Sequence, residues 1–246
     1  MARFINKEFD SPELQEFLHN LPEAFAHGGK GIYKGRNTLK SFRIGNNEFV
    51  VKEFKPLSRL RALLYLGRTS KAERAYRYGL EILNRGIITP SPVAALDIRR
   101  GPLLHRSYFI SKPLYAPDMT FIRKAHFPEA EARTLARFLF QMQQRGILHG
   151  DMNLTNILLY NAAADNPLQR YAIIDTNRST ILRPGKQPTL RQRAANLMRV
   201  THRRDLLRYI LLNIPSPSPR ILTTLTFRNL LRMEARKRLL HRLFRH

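Results

Sequence analysis

The chain has 246 residues, of which 43% are hydrophobic and 9% aromatic, enough to bury the core of one large domain or of two lobes. It contains no cysteine, which excludes disulfides and thiolate metal sites and makes a reducing cytoplasm the natural compartment. The formal net charge of +25 points to an anionic partner or environment. RNA, anionic lipid and phosphorylated glycolipid all satisfy that charge, and so does origin in a basic proteome.

Membrane-spanning and exported proteins are not indicated by the sequence. No apolar run reaches the roughly 18–20 residues that cross a bilayer. The N-terminus MARFINKEFD meets acids within its first ten residues and lacks the apolar core of a signal peptide. We therefore expect a cytoplasmic protein or one that lies on a membrane surface.

The first half of the chain predicts a short helix followed by an antiparallel sheet. The helix covers about 10–27 and starts with Ser11 as its cap and Pro12 in its first turn. Turn signals Gly-Arg-Asn and Gly-Asn-Asn then separate three strands. We place these strands at 31–34, 38–44 and 48–54. The segments ITPSPVAALDI and GPLLHRSYFISKPL predict two more, which gives five antiparallel strands within 28–114.

Two helices are predicted between the third and fourth strands, over 56–86. Apolar residues recur there at helical spacing, in two stripes. The first stripe comprises Leu60, Leu63 and Leu64, and the second comprises Ala75, Leu80, Ile82 and Leu83. Gly86 ends the second helix.

The second half of the chain is predominantly helical. An amphipathic helix in FPEAEARTLARFLFQMQQRGI ends at Gly146 and places five residues towards a core: Ala132, Leu135, Phe138, Leu139 and Met142. ILLY and YAIID predict two short strands. The Arg-rich remainder is helical, with a Pro/Ser break at 213–220, and it closes in a basic amphipathic helix over 228–246.

A polar segment, HGDMNLTN at 149–156, carries the residue pattern of a phosphoryl-transfer loop. In such loops an Asp accepts the proton of the acceptor hydroxyl, and an Asn five residues later ligates Mg²⁺. Asp151 and Asn156 stand at that spacing, and His149 takes the position of the histidine that braces the loop. Asx-turn chemistry alone is the alternative explanation of an Asp and an Asn in a turn.

Two further residues extend this pattern. Asp175 ends the apolar run YAIID and could bind Mg²⁺ that bridges the phosphates, although such an Asp commonly caps a strand end. Lys52, in FVVKEFK, has the strand setting of the kinase V-A-I-K lysine and could contact nucleotide phosphates; protection of an edge strand is the alternative. With Asp151 and Asn156, these residues follow in the order expected for a bilobal, protein-kinase-like α+β fold.

These motifs resemble the lipopolysaccharide kinase family (Kdo/WaaP type), small kinase-fold enzymes that phosphorylate core sugars of lipopolysaccharide. ILHGDMNLTNILL is similar to the family's H-G-D-x-N-x-x-N-x-L loop, in which Gly replaces the Arg of H-R-D. KGRNTLKSFRIGNNEFVVKEFK and SKAERAYRYGLEILNRGIITPSPVAAL are similar to its Bacteroidetes-type members. The similarity runs from about 30 to 180. The loop also resembles aminoglycoside phosphotransferases and RIO-type kinases.

The resemblance implies two lobes and departs from the kinase pattern at three points. The implied N-lobe, 1–114, is a small antiparallel sheet with an inserted helix, and the mainly helical C-lobe is 115–246. D-T-N-R replaces the family's D-F-D-R after the second strand, and KGRN replaces a glycine-rich phosphate loop. Backbone amides near Gly35 could still cover the phosphates, with Lys34 or Arg36 adding charge. The acid that pairs with Lys52 is not obvious; Glu73 is favoured over Glu81, which lies close to the helix end.

The remaining predictions concern the lobe connection and three residues that each have two possible roles. The segment FISKPL would connect the lobes, and its backbone would meet adenine at Ser111, Lys112 and Leu114. Asp118 could contact ribose or cap a helix, and Asn153 could bind the acceptor sugar or brace the loop. Arg178 could stabilise transferred-phosphate charge or pair with a loop carboxylate.

The resulting hypothesis is an ATP- and Mg²⁺-dependent kinase that acts on a hydroxyl of a lipopolysaccharide core sugar, Kdo or heptose. Its partner would be an inner-core or lipid A precursor glycolipid, met at the inner face of the cytoplasmic membrane. The rivals are a kinase-fold phosphotransferase for a protein or small molecule, and a non-catalytic kinase-like binding module. No nucleic-acid partner is expected, since no RNA-binding motif is present, and a monomer is expected.

Overall fold

The computed structural model describes residues 2–55 and 66–243, and the chain divides into two compact units. One unit comprises Met1–Asn84 and Thr89–Tyr115, and the other comprises Arg85–Ile88 and Ala116–His246. The predicted helical stripe of Leu60, Leu63 and Leu64 lies outside the described residues.

The first unit contains a six-stranded sheet in which every neighbouring pair is antiparallel, in the order β1-β5-β6-β4-β3-β2. The strands are β1 (Ala2–Ile5), β2 (Lys30–Lys34), β3 (Thr38–Ile44), β4 (Asn47–Glu53), β5 (Pro92–Arg100) and β6 (Leu103–Ser111). The five predicted strands are confirmed, but the prediction of five in all was wrong because it missed β1. This four-residue strand pairs Ala2 with Asp97, far along the chain, so no turn between neighbouring strands marks it in the sequence.

Helices cover both faces of this sheet. α1 (Pro12–His19) starts as predicted, with the Ser11 hydroxyl accepting the Leu14 N–H. The single helix predicted over 10–27 was wrong, because a second helix, α2 (Leu21–His27), follows after Asn20. Pro22 lacks the N–H that would bond back to the preceding turn, so the first helix cannot continue through it. The third helix is α3 (Lys71–Asn84).

Alternating residues of the strands face different helices, as the two-residue period of a strand requires. Val51, Leu96 and Tyr108 lie in one buried cluster with the apolar side chains of α1 and α2. Ala95 and Phe54 lie in a second cluster with residues of α3. Phe54 directly follows β4, and Lys52, two residues earlier on that strand, therefore lies on the same face, which α3 covers.

The second unit combines several helices with two short β-ladders. Its helices are α4 (Glu129–Gln144), α5 (Pro167–Arg170), α6 (Leu190–Leu197), α7 (Arg204–Leu212) and α8 (Pro219–Leu243). Its strands are β7 (Ile147–Leu148), β8 (Ile157–Leu159), β9 (Tyr171–Ile173) and β10 (Thr180–Ile181). β7 pairs with β10, and β8 pairs with β9 in the predicted hairpin.

The helices of this unit follow the sequence pattern closely. All five predicted core residues of α4 are fully buried: Ala132, Leu135, Phe138, Leu139 and Met142. The Pro/Ser break is present between α7 and α8. The predicted start of the last helix at 228 was late, because α8 already begins at Pro219, where proline is tolerated in a first turn. No helix within the described residues is long and apolar enough to span a bilayer.

Candidate active site

The loop between β7 and β8 is braced by a buried histidine. His149 is fully buried, and its Nε2 lies 2.8 Å from the carbonyl oxygen of Ile174. Its Nδ1 accepts the backbone N–H of Asp151 at 3.3 Å, so Nε2 must carry the proton and donate to Ile174. Burial lowers the pKa of His149 below its usual value, which keeps the ring neutral. The histidine thus joins the loop to the strand end before Asp175.

The H-G-D motif requires a glycine at its second position for steric reasons. Gly150 has φ +75°, and a Cβ added there would lie within 3.0 Å of the backbone oxygen of Arg178. Its N–H donates to the Asn196 side-chain oxygen at 3.0 Å. Because any side chain would collide with backbone here, the loop can pass this close only with glycine.

Asp151 has its carboxylate held by two arginines and its carbonyl held by two amides. Arg178 Nη1 lies 3.0 Å from Oδ2, and Arg199 Nη1 lies 3.4 Å from Oδ1. The carbonyl oxygen accepts from the side-chain amides of Asn156, at 2.9 Å, and Asn153, at 3.3 Å. The Asp151 side chain is still 25% exposed, so a substrate hydroxyl can reach it. Arg178 therefore makes the ion pair that was one of its two predicted roles.

The two asparagines of the loop have separate tasks. Asn153 caps a 3-10 turn, Leu154–Asn156, by accepting the Thr155 N–H at 2.9 Å, which matches the predicted bracing role. Asn156 uses its amide nitrogen on Asp151, which orients its amide oxygen as the atom suited to a metal. Its backbone carbonyl accepts the Ile174 N–H at 3.0 Å, next to Asp175.

Asp175 has an unusual backbone. It is the one non-glycine with positive φ among the described residues, at φ 61° and ψ 49°. Left-handed backbone costs on the order of 1 kcal/mol in a residue with a Cβ, and such strain concentrates at functional sites. The Asn177 amide donates to the Asp175 Oδ1 at 2.6 Å and orients the carboxylate.

The oxygen donors of this loop and of Asp175 are of the kind that suits Mg²⁺. Within residues 2–55 and 66–243, no three His, Cys, Asp or Glu side chains group as a metal cage. One carboxylate, Asp175, and one amide, Asn156, would supply two oxygen ligands. Mg²⁺ characteristically takes one or two protein ligands and completes its shell with phosphates and water.

The end of α6 and the residues directly after it fix the loop from outside the motif, and sequence reasoning missed them. Asn196, on α6, accepts the Gly150 N–H, and the Val200 carbonyl accepts the Leu154 N–H at 3.1 Å. Arg199 lies between these two anchors and reaches Asp151. No spacing rule points to residues 45–49 positions further along the chain, and one arginine is inconspicuous among 43 basic residues.

Lys52 and Glu73 lie in the first unit. β4 pairs with β3 and β6, so Lys52 is on an interior strand and protection of an edge does not explain it. Its Nζ lies 5.1 Å from the Phe54 ring centroid, on the face covered by α3. Glu73 is in the first turn of α3 and pairs with Arg77 at 2.8 Å. The pairing of Lys52 with Glu73 stays a prediction.

The other residues predicted to contact the nucleotide lie in the β2–β3 turn and at the end of β6 or just after it. The Gly35 N–H donates to the Asn37 carbonyl within the β2–β3 turn, at 3.1 Å. Ser111 ends β6, and the Lys112 N–H donates to the Ser91 carbonyl at 2.9 Å. Leu114 is half-buried just beyond. The Lys112 N–H is therefore already bonded within this unit, and the adenine contacts of Ser111, Lys112 and Leu114 stay a prediction.

Asp118 of the second unit has a structural task. Its Oδ1 accepts the Thr120 N–H at 3.0 Å and the Thr120 hydroxyl at 2.5 Å, which caps a 3-10 turn, Met119–Arg123. Of its two predicted roles, the structure shows the cap.

A loop Asp, an Asn five residues later and an Asp after the second strand of the following hairpin form the type of site found in kinase-fold phosphotransferases. The chain belongs to the lipopolysaccharide kinase (Kdo/WaaP) family, whose model matches residues 59–208, more than half of the sequence. It is 24% identical over 134 residues to 3-deoxy-D-manno-octulosonic acid kinase of Xylella fastidiosa strain M12, and equally so to that of strain 9a5c. These matches cover 54% of this chain and 50% of the relatives, so the chain spans about half their length.

The fold is similar to that of a solved structure of WaaP in complex with acyl carrier protein. The TM-score is 0.60 at 17% sequence identity, and the match covers 96% of this chain and 98% of that one. At this identity the similarity supports only the fold, a mixture of sheet and helix that the chain shares with WaaP.

Proposed function

We propose that the protein is an ATP- and Mg²⁺-dependent kinase that transfers the γ-phosphoryl group to a hydroxyl of a lipopolysaccharide core sugar, Kdo or heptose. The observation that carries this proposal is the loop in which Asp151 and Asn156 are bonded to each other and tied to the strand end before Asp175. Membership of the lipopolysaccharide kinase family supports the same chemistry.

In this proposal the second unit contains the reacting groups. Asp151 orients the acceptor hydroxyl and accepts its proton, while Asn156 and Asp175 would hold Mg²⁺. The ion, when bound, neutralises charge that develops on the phosphates. His149 remains neutral and acts only by holding the loop, because both of its ring nitrogens already bond to backbone groups.

The first unit would bind the nucleotide as an N-lobe, 1–114, with 115–246 as the C-lobe. Lys52 would contact the α- and β-phosphates, and Glu73 would orient it from the helix on the same face of the sheet. The turn at Gly35 would cover the phosphates. The backbone from Ser111 to Leu114 would meet adenine.

Magnesium-dependent phosphoryl transfer from ATP tests the catalytic assignment. Asp151→Asn keeps the size of the side chain but removes the proton acceptor, so kcat should fall by about 10²–10⁴-fold. Asp165→Asn, at an exposed position outside the loop, is the matched control and should keep wild-type turnover. A wild-type protein that neither bound Mg-ATP nor turned it over would refute the proposal and favour a binding module.

The acceptor is tested in cells. Mass spectrometry of lipid A–core from cells with and without the gene should show the loss of one phosphate when the gene is absent. An unchanged core, together with active transfer to another small molecule or protein, would replace the lipopolysaccharide acceptor by a different one.

We also propose that the enzyme works at the anionic inner face of the cytoplasmic membrane, as a monomer without a nucleic-acid partner. The first part of α8 is anchored, since Leu222, Thr226 and Leu230 are fully buried. Beyond them Leu239 and Leu240 are exposed among arginines and lysines, a composition that suits an anionic lipid surface.

A truncated chain tests this membrane contact. A stop after Glu234 keeps the buried part of α8 and the ion pair from Arg204 to Glu234, at 3.1 Å. Co-sedimentation with vesicles that contain anionic lipid should fall in the truncated chain and should be weak for both chains with neutral vesicles. Equal sedimentation of both chains in both vesicle types would refute the assignment.

A further inference from the structure

The carboxylate of Asp151 lies between two arginines that come from different segments of the second unit. Arg178 follows Asp175 and engages Oδ2, whereas Arg199 follows α6 and engages Oδ1. Each uses Nη1 alone, although a guanidinium carries five N–H donors arranged to bind carboxylates in pairs. The side chains are 46% and 39% exposed, so their remaining donors can be reached from solvent.

Arg199 is held in place by the fold. Asn196 bonds to Gly150 and Val200 bonds to Leu154, so the backbone on both sides of Arg199 is tied to the loop on both sides of Asp151. Val200 is itself fully buried. A surface arginine that met Asp151 by chance would not need these two anchors.

Two arginines contact one carboxylate in this cluster. Arg178 and Arg199 carry two positive charges against the single negative charge of Asp151. Each arginine meets one oxygen of Asp151 through one nitrogen, which leaves its other N–H donors for a further anion. Two guanidinium groups can bridge two carboxylates, since each presents donors along more than one edge.

We propose that Arg178 and Arg199 bind the carboxylate of an acidic sugar acceptor and so select that sugar when its hydroxyl faces Asp151. The proposal rests on the proposed kinase function and deepens it, because it chooses the acidic sugar over a neutral heptose. The sugar in the names of the Xylella relatives, an octulosonic acid, has a carboxylate of this kind. A hydroxyl within hydrogen-bond reach of Asp151 places the rest of the same sugar ring beside both arginines.

The γ-phosphate of ATP is the other anion that could meet these arginines. The two cases differ in which Michaelis constant the arginines control. A carboxylate contact acts on the KM of an acidic acceptor and leaves a neutral acceptor unaffected. A phosphate contact acts on the KM of ATP or on kcat with every acceptor.

The test compares Arg199→Ala with wild type on the methyl glycoside of Kdo and on its carboxyl-reduced analogue. With the acid, KM should rise by about 10- to 100-fold, the usual effect of losing a hydrogen bond to a charged partner. With the reduced analogue, KM should be high for wild type and change little in the variant. Arg199→Lys should recover only part of the loss, because an ammonium cannot replace the planar fork.

Arg191→Ala is the matched control, because Arg191 is an exposed arginine on α6 and its substitution removes the same charge. It should keep wild-type constants with both acceptors. If Arg199→Ala fails to fold, as judged by thermal unfolding, Arg199→Gln takes its place.

Three results would overturn the proposal. These are an equal loss with the acid and the reduced analogue, a rise in the KM of ATP alone, and wild-type preference for a methyl heptoside. Failure of the kinase function itself would look different, because wild type would then transfer no phosphate to any acceptor.

Discussion

Two polar loops each contain a glycine that lies close to other atoms: 149–156 in the second unit and 34–37 in the first. The atoms that crowd the two glycines differ, and so do the consequences. A Cβ on either Gly150 or Gly35 would lie within 3.0 Å of another atom. For Gly150 that atom is the backbone carbonyl oxygen of Arg178, which cannot move without the 3-10 turn Thr176–Arg178. For Gly35 it is the hydroxyl of Tyr33, a side chain that is 58% exposed and can rotate away.

The difference shows how each loop is specified. The 149–156 loop is bonded to Ile174, Asn196 and Val200, all distant in sequence, so its shape depends on the folded unit. The 34–37 turn is bonded within itself and to the N–H of Lys55, and every residue of β2 before it is exposed. Reacting groups that must keep a fixed geometry are expected on a loop of the first kind.

Gly150→Ala should have the largest effect on stability. Left-handed backbone with a Cβ and a collision with backbone together predict a loss of about 3 kcal/mol in the free energy of unfolding, measured in urea. Activity per folded molecule should also fall, since the turn at Arg178 or Asp151 must shift to admit the methyl group.

Comparison with Gly185→Ala separates the effect of the collision at Gly150 from the effect of left-handed backbone. Gly185 has a similar φ of +77° with nothing within 4 Å of an added Cβ, so its loss should be only about 1 kcal/mol. Equal losses in the two variants would mean that the close approach to Arg178 has no energetic weight.

The buried His149 should make the stability of the protein depend on pH. Burial lowers its pKa in the folded state, whereas in the unfolded chain the pKa is about 6.5. Below that pH the unfolded chain takes up a proton that the folded ring resists. The stability is therefore complete above about pH 6.5 and is lost as the pH falls further.

His149→Gln removes this dependence and keeps an amide that can donate to Ile174. Between pH 7.5 and 5.5 the wild type should lose about 1 kcal/mol more unfolding free energy than the variant. Urea titrations at the two pH values give the difference directly. Parallel losses in both proteins would assign the pH dependence to other groups.

Local patterns in the sequence predicted most of the fold. Turn signals between runs of strand-forming residues located β2 to β6, and helical spacing identified the five buried residues of α4. The candidate site residues Asp151, Asn156 and Asp175 were proposed because phosphoryl transfer needs an Asp and an Asn at a fixed spacing on one loop and a second Asp that binds the metal. Asp151 and Asn156 lie within a few residues of each other, and Asp175 directly ends an apolar run, so each is visible in a short stretch of sequence.

Contacts between distant segments could not be predicted in the same way. β1 is four residues long and depends on a partner strand about 90 positions later. The anchors at Asn196 and Val200, and the ion pair from Arg199, depend on how α6 packs beside the loop. No composition or period encodes that packing, so the second arginine at Asp151 emerged only from the structure.

Gly35→Ala should have the smallest effect on stability and is the sharpest test of the open turn. The Tyr33 ring can rotate into solvent, and Gly35 is not in left-handed backbone, so the unfolding free energy should change by less than about 0.5 kcal/mol. Any functional effect should fall on the KM of ATP, because a methyl group would obstruct phosphates covered by this turn. Gly31→Ala, with nothing near its added Cβ, is the control for the change in chain entropy. Unchanged ATP kinetics in both variants would remove Gly35 from the nucleotide site while leaving the assignments on 149–156 intact, since those depend on a loop built by different contacts.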